Sequence, residues 1–567
     1  MFRCHLLIVP LLFLSQVRCE VFTALADLQE LLNTEAVLIH SLENYIRAEE
    51  LKIDLLKRYA DIYNKQHNKA TEDVESYVAN PLNAYTLVKR MTTDWQEVES
   101  LITTDVSKDY MANISYAKEN MKFPTDEDLN GAAAAVIRLQ DTYRLDTASL
   151  ARGELNGVKY SSELTAADCF ELGRQSYNNG DFYHTLLWMR EADERLSREQ
   201  NKTVDKGEIL EYLAFSTYKE GRAKRMVQMA CKSDEADCNR DSANITLLSH
   251  ASARNINLAL DLTNKLLEMV PTHERAKGNK VYYEEEIQKG SYKKKGDDET
   301  DDIITNEGHD TPNPDRERYE ALCRGELTLP DELVSKLKCR YVTNNNPYLL
   351  IAPFKVEQAH ISPDLFIFHD VMSDAEIKTI KTLATPKFRR ATVQNSVTGQ
   401  LEIAQYRISK SAWLEEDEHE HVAAVNKRVE DMTGLAVATA EQLQVVNYGI
   451  GGHYEPHFDF SRKDEVNSFK SLGTGNRIAT VLFYMSDVEQ GGATVFPVIG
   501  TALWPKKGTA AFWYNLFPSG DGDRLTRHAA CPVLAGSKWV SNKWIHERGQ
   551  EFLRPCTLER PPDDLTI

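Results

Sequence analysis

Apolar positions near the start of the chain recur at alternating three- and four-residue steps. Between about residues 21 and 65 they are Leu25, Leu28, Leu32, Ile39, Leu42, Ile46, Ile53, Leu56, Ala60 and Tyr63, broken only by Glu35 and Glu49. That spacing predicts a coiled-coil seam, hence self-association; the same stripe also suits a long helix inside a bundle. Helical periodicity continues through 87–101 and the alanine run 132–139. From about 164 to 280 the pattern becomes one of helical hairpins of tetratricopeptide type. One hairpin runs from Leu172 through Gly180 to Trp188, and a second from Leu213 through Gly221 to Leu262, closed by Pro271. Between the halves of the second, residues 223–254 hold Cys231, Cys238 and Asn244 and read as a surface loop pinned by a local disulfide. A charged stretch, about 289–317, reads as a linker. Beyond Cys339 the period shortens. Segments such as Leu443–Tyr448, Ile478–Tyr484 and Ala510–Trp513, divided by glycine-rich turns, predict a sandwich or barrel.

The aromatics of the hairpins allow two readings. Tyr177, Tyr183, Tyr212 and Tyr218, with Phe182, are ordinary repeat core when taken singly. As a set on a concave helical surface they suit a proline-rich peptide, whose polyproline II helix is preformed.

With 567 residues, 42% hydrophobic and 27% charged, the chain has the makings of several globular domains. Its net charge of −19 argues against nucleic acid as the main partner. Arg3 and His5 precede an apolar run, Leu6 to Leu14, followed by Val17-Arg18-Cys19, which predicts a secretory leader over 1–19. No later stretch is long enough to cross a membrane. Beyond the leader the cysteines cluster as Cys231 with Cys238, Cys323 with Cys339, and Cys531 with Cys556, leaving Cys169 free. Three local disulfides are expected from this clustering, although sequence does not fix connectivity. Sequons at Asn113, Asn201 and Asn244 agree with a glycosylating compartment. The C-terminus, Asp563 to Ile567, carries no KDEL-type retention signal.

The chemistry is concentrated near the C-terminus. His457 and Asp459 are two apart, so on a strand they would share one face. Joined by His528, they make two imidazoles and a carboxylate, the set that holds non-heme Fe(II) and leaves positions open. Lys538 supplies a cation ten residues further on, and a buried ammonium needs a carboxylate. A zinc hydrolase could use the same three ligands, but it leaves Lys538 without a task.

From about Ile367 onward, the blocks Tyr406–Trp413, Tyr454–Phe460, Gly491–Pro497, Trp513–Phe517, Thr526–Cys531 and Lys538–His546 closely resemble the collagen prolyl 4-hydroxylase α-subunit family. The resemblance extends to the N-terminal helices and the hairpin segment, with 223–254 as a departure. It implies a multidomain α+β protein: leader 1–19, helical coiled-coil dimerisation domain 20–150, peptide-binding domain 160–285, linker 286–320, and a double-stranded β-helix (jelly-roll) dioxygenase domain 340–556. It implies iron on His457, Asp459 and His528, and 2-oxoglutarate on Lys538 with hydroxyls from Tyr448 and Thr494. Tyr454, Arg477, Trp544 and His546 match positions lining the proline and cosubstrate pocket. Ascorbate is the implied reductant of iron. Protein disulfide isomerase is the implied partner in an α2β2 assembly in the endoplasmic reticulum lumen. Two other functions compete. A lysine hydroxylase would carry Arg at the cosubstrate anchor, where this chain has Lys538, and a silent proline-rich-chain scaffold would have no reason to keep all four residues.

Overall fold

The heptad stripe folds as one helix, α1 (Leu25–Glu72), in a computed structural model describing residues 20–233, 242–291, 313–395, 400–465, 468–469, 472–559, 561–562 and 565. Residues 26–125 form one unit and the remaining described residues another. In the first unit, short helices between Val74 and Asn120 return along α1. Tyr45 meets Tyr110 edge-on, Tyr59 donates to Glu97 at 3.0 Å, and Lys52 donates to the Thr104 carbonyl at 2.7 Å. The seam itself stays open, with Leu32 at 64%, Leu42 at 57% and Ile46 at 47% exposure.

The second unit begins with helix α2 (Asp126–Tyr143), followed by the hairpins α3 (Ala166–Asn178), α4 (Phe182–Arg198), α5 (Lys206–Ser233), α6 (Ser242–Met269) and α7 (Glu274–Glu286). Local chemistry sets the boundaries. Thr165 and Asp168 cap the start of α3 reciprocally, and the Asp181 carboxylate accepts the His184 amide at the start of α4. Ala166, Cys169, Leu186, Trp188, Met189 and Ile209 fill the shared core. The loop expected over 223–254 is replaced in its described parts by helix, since α5 runs on to Ser233 and α6 starts at Ser242. The proposed pair Cys231–Cys238 lies outside the described side chains. Among the described residues no helix is long and apolar enough to cross a membrane.

The expected linker ends early. Pro314, at the first turn behind the Asn313 cap, opens helix α8 (Pro314–Cys323). Two large sheets then form, alongside short two-stranded ones. In chain order the strands are β1 (Cys339–Val342), β2 (Phe354–Ile361), β3 (Asp364–His369), β4 (Arg389–Arg390), β5 (Arg407–Ile408), β6 (Lys410–Leu414), β7 (Leu443–Asn447), β8 (His453–His457), β9 (Arg477–Tyr484), β10 (Thr494–Phe496), β11 (Thr501–Leu503), β12 (Ala510–Tyr514), β13 (His528–Ala530) and β14 (Trp539–His546). The larger sheet has the order β1-β2-β3-β12-β9-β14-β7-β6-β4, the smaller β11-β10-β13-β8-β5. Val446, Tyr484 and Trp513 of one sheet and Phe496, Leu503 and Ala530 of the other share a core, so the sheets face each other. Helix α9 (Asp374–Ala384) packs on β6 and β7 and against α10 (Glu420–Thr433). β9 lies centrally in the larger sheet, between β12 and β14, and is buried almost throughout rather than alternating.

Helices α2 and α8 cover the outside of the smaller sheet, where Tyr143, Tyr319 and Leu322 pack on Val495 and Ala529. This packing corrects the cysteine pairing. Cys323 ends α8 directly over Cys531 and bonds to it, with Cα atoms 5.5 Å apart. Cys339 and Cys556 are free and exposed, and Cys169 is free and buried. Proximity in sequence misled because α8 turns inward while Cys339 sits on the outermost strand of the larger sheet.

Candidate active site

Strands β8 and β13 run antiparallel in the smaller sheet, and their register sets His457 directly opposite His528. A register shift between Tyr454 and His457 re-aims the end of β8. His457 is therefore the last residue of its strand. Asp459 lies in the turn beyond it, not two places along a strand as the spacing implied. The three still converge. Asp459 carboxylate oxygens stand 3.7 Å from His457 Nε2 and 3.6 Å from His528 Nε2, and the three residues offer ligand atoms within 4.8 Å of one another.

Each imidazole is set by a neighbouring carbonyl. His457 Nδ1 donates to the Glu455 carbonyl at 2.8 Å and His528 Nδ1 to the Thr526 carbonyl at 3.0 Å. Both Nε2 lone pairs are left for a metal. Burial, followed by His528, pushes His457 down to about 3, keeping it neutral. Burial favours protonation of Asp459, yet its neighbours, His528 first and Arg477 among them, outweigh it and hold the carboxyl at about 2. Thr480 donates to Asp459 Oδ2 at 2.8 Å and accepts from Asn515 Nδ2 at 2.9 Å. Neither Thr480 nor Asn515 was legible as a site residue, because only the β9–β12 pairing brings them beneath Asp459.

Lys538 is 1% exposed and points over the Tyr448 ring, 5.0 Å from its centroid. Burial alone pushes its ammonium down to about 7. No described carboxylate pairs with it. Tyr448 and Thr494 lie in the same enclosed region, at 7% and 2% exposure, and Tyr484 donates its hydroxyl to Thr494 Oγ1 at 2.9 Å. The donor set fits iron and 2-oxoglutarate: two imidazoles and a carboxylate cover one side of a metal, and a solitary buried ammonium awaits an anion.

Outward from the three ligands opens a cavity of about 950 Å³, lined by Tyr406, Arg407, Trp413, Tyr454, Arg477 and Trp544 among others. Tyr454 stacks on His457 with centroids 3.5 Å apart and planes at 17°. The Arg477 guanidinium sits 3.8 Å over Trp544 and bonds both oxygens of Glu441, at 2.5 and 3.0 Å. His546 contacts the same carboxylate through Nε2 at 2.9 Å and the Gly475 carbonyl through Nδ1 at 2.8 Å. Although partial burial of Glu441 favours protonation, Arg477 and His546 hold its carboxyl at about 2. Glu441 organises this wall, and nothing in its local sequence marked it.

In the hairpin region Tyr177 and Tyr212 are half-buried and meet at 4.9 Å, in one aromatic group with Phe182 and Phe215. Tyr218 is 8% exposed among Tyr282 and Tyr283. Tyr183, 7% exposed against His184, is as enclosed as Tyr218. Asn113 and Asn201 are exposed; the Asn244 side chain lies outside those described.

Three family models match the chain. They are the prolyl 4-hydroxylase α-subunit N-terminal region over 24–157, the prolyl 4-hydroxylase peptide-substrate-binding domain over 166–250, and the 2OG-Fe(II) oxygenase superfamily over 443–546. Prolyl 4-hydroxylase subunit alpha-1 of Homo sapiens is 48% identical over 544 residues, 95% of each chain. Subunit alpha-2 of Gallus gallus is likewise 48% identical over 95% of each chain. Subunit alpha-2 of Caenorhabditis elegans is 47% identical over 95% of this chain and 94% of its own. Ligand cluster, buried lysine, aromatic hairpins and end-to-end identity agree, and the chain belongs to the prolyl 4-hydroxylase α-subunit family.

Proposed function

We propose that this chain hydroxylates C4 of proline in X-Pro-Gly repeats of procollagen, using O2 and 2-oxoglutarate and releasing succinate and CO2. The observation that carries the reading is the enclosed Lys538 ammonium, without a described carboxylate partner, beside the His457–Asp459–His528 cluster. Iron bound there with 2-oxoglutarate supplies the oxidising power for an unactivated C–H bond. The protein supplies position. His457, Asp459 and His528 hold the metal, and Thr480 fixes the carboxylate. Lys538 pairs with the far carboxylate of 2-oxoglutarate, with Tyr448 and Thr494 alongside. Tyr454, Arg477, Trp544 and His546 shape the proline side, where Tyr454 shields one face of His457 from water. The half-buried rings Tyr177 and Tyr212 hold a proline-rich chain on the hairpins, in keeping with polyproline recognition by aromatic grooves.

The same reading assigns α1 to dimerisation through its exposed seam and a jelly-roll topology to the facing sheets. Domain limits are 20–150, 160–285 and 340–556, with the leader 1–19 removed. Ascorbate restores oxidised iron, and protein disulfide isomerase completes an α2β2 assembly in the endoplasmic reticulum lumen. Asn113, Asn201 and Asn244 are the glycan sites. The deciding experiment incubates the complex with (Pro-Pro-Gly)n peptide, Fe(II), ascorbate and labelled 2-oxoglutarate. Peptide-dependent CO2 release together with 4-hydroxyproline is expected; CO2 release that ignores peptide would overturn the reading.

A further inference from the structure

Residues 20–24 are embedded beside the site. Val21, Phe22, Thr23 and Ala24 are 3%, 7%, 0% and 0% exposed. The Phe22 ring lies against Gly131 of α2, and its carbonyl lies against Gly449, leaving no room for a side chain at either glycine. Ile450 donates its amide to the Phe22 carbonyl at 3.2 Å, and Val21 donates to Asp128 at 2.5 Å. This segment delivers Glu20 to Arg390, whose Nε donates to the Glu20 carboxylate at 2.8 Å across 370 positions.

Arg390 is a demanding residue to bury. It is 8% exposed, as is its neighbour Arg407. Burial weighs against the Arg390 charge, Glu20 supports it and Arg407 opposes it. So supported, Arg390 gathers the chain around β5, donating to the carbonyls of Arg407 at 2.5 Å and Ser409 at 3.2 Å. β5 is also the neighbour of β8, with Arg407 directly opposite Tyr454. The Arg407 guanidinium stands 4.7 Å over the Tyr454 ring, the same ring that lies flat on His457.

We propose that Glu20 is a positioning residue for peptide hydroxylation. It holds Arg390, Arg390 holds β5, and β5 keeps Arg407 and Tyr454 aligned at the proline side of the cavity. The inference rests on the proposed function, in which Tyr454 faces the peptide. It separates the two substrates, since Lys538 takes 2-oxoglutarate by contacts that Glu20 does not share.

The test compares wild-type complex with Glu20→Gln and Glu20→Asp. Glu20→Gln is expected to raise the KM for (Pro-Pro-Gly)n roughly ten-fold, the scale of one lost charge-assisted bond at a buried site, and to raise the uncoupled share of 2-oxoglutarate turnover. The KM for 2-oxoglutarate should stay within about two-fold, and Glu20→Asp should recover most of the loss. Without iron or substrate, amide exchange over 404–409 should quicken roughly ten-fold in Glu20→Gln while β9 and β14 are unchanged. Unchanged peptide KM and exchange would overturn the proposal. Equal rises in both KM values with general loss of protection would also overturn it, by showing a merely structural role. A wild-type complex that fails to hydroxylate the peptide would instead remove the functional reading, while leaving the exchange comparison to judge Glu20 and β5.

Discussion

In the proposed function, the single side chain of Lys538 selects the cosubstrate. Its ammonium is enclosed, and burial lowers it to about 7. The charged form pairs with a carboxylate, so a bound dicarboxylate raises the lysine's proton affinity. Binding of 2-oxoglutarate should therefore take up protons near neutral pH and weaken as pH rises through about 7, measurable by calorimetry in two buffers of different ionisation heat. Lys538→Ala should raise the KM for 2-oxoglutarate about 100-fold, the scale expected when one partner of a buried charge pair is removed; an unchanged KM would refute the anchor role. Thr480 acts one step further from the metal. Thr480→Val keeps the shape but removes the bond to Asp459, and metal affinity should fall about 10–100-fold in a direct titration. The contrast between these residues explains what sequence could reveal. His457, Asp459, His528 and Lys538 announce themselves by chemical type and spacing. Thr480, Asn515, Tyr484 and Glu441 are ordinary residues whose roles arise only from strand register and long-range pairing.

At the scale of elements, periodicity was a good guide and proximity in sequence a poor one. The heptad stripe became α1, and the apolar segments at Leu443, Ile478 and Ala510 became strands nearly to the residue. Pairing Cys323 with Cys339 failed because α8 folds back onto β13, a contact between residues about two hundred positions apart. The docking of α4 on α2 carries a pH signature of its own. His184 is buried between Asp141, 3.0 Å from Nε2, and Asp181, 2.7 Å from Nδ1. Burial opposes its charge, but the two carboxylates prevail and raise the imidazole to about 9. A raised pKa stabilises the fold fully below the unfolded value near 6.5, and the contribution disappears as pH climbs through about 9. The shift corresponds to roughly 3 kcal/mol. Wild-type urea midpoints should accordingly fall between pH 6.5 and 9.5, and His184→Gln should start lower and lose most of that slope. A slope unaltered by His184→Gln would assign the pH dependence elsewhere.

The whole molecule carries two aromatic groups that the proposed function gives to one repetitive substrate: the cavity at Tyr454 and Trp544, and the hairpin group at Tyr177 and Tyr212. A long (Pro-Pro-Gly)n chain can occupy both, and the second contact then acts at an effective concentration set by the intervening peptide. A peptide of one or two triplets reaches only the cavity. Replacing Tyr177 and Tyr212 together by Ala should therefore raise the KM of long peptides about 10–100-fold, leave kcat unchanged, and leave the KM of the shortest peptides where it was. The converse variant, Trp544→Ala, should depress turnover of every length alike, because that ring lines the cavity in which the proposed function places the proline. A length series with both variants separates the contributions: parallel shifts for short and long peptides in the tyrosine variant would mean that the hairpins stabilise the fold without holding substrate. The composition carried the hint of this division, with tyrosines gathered upstream and metal ligands downstream. How far each tyrosine is enclosed was not legible, since burial is set only once the hairpins pack: Tyr183 and Tyr218 are buried, Tyr177 and Tyr212 half-buried.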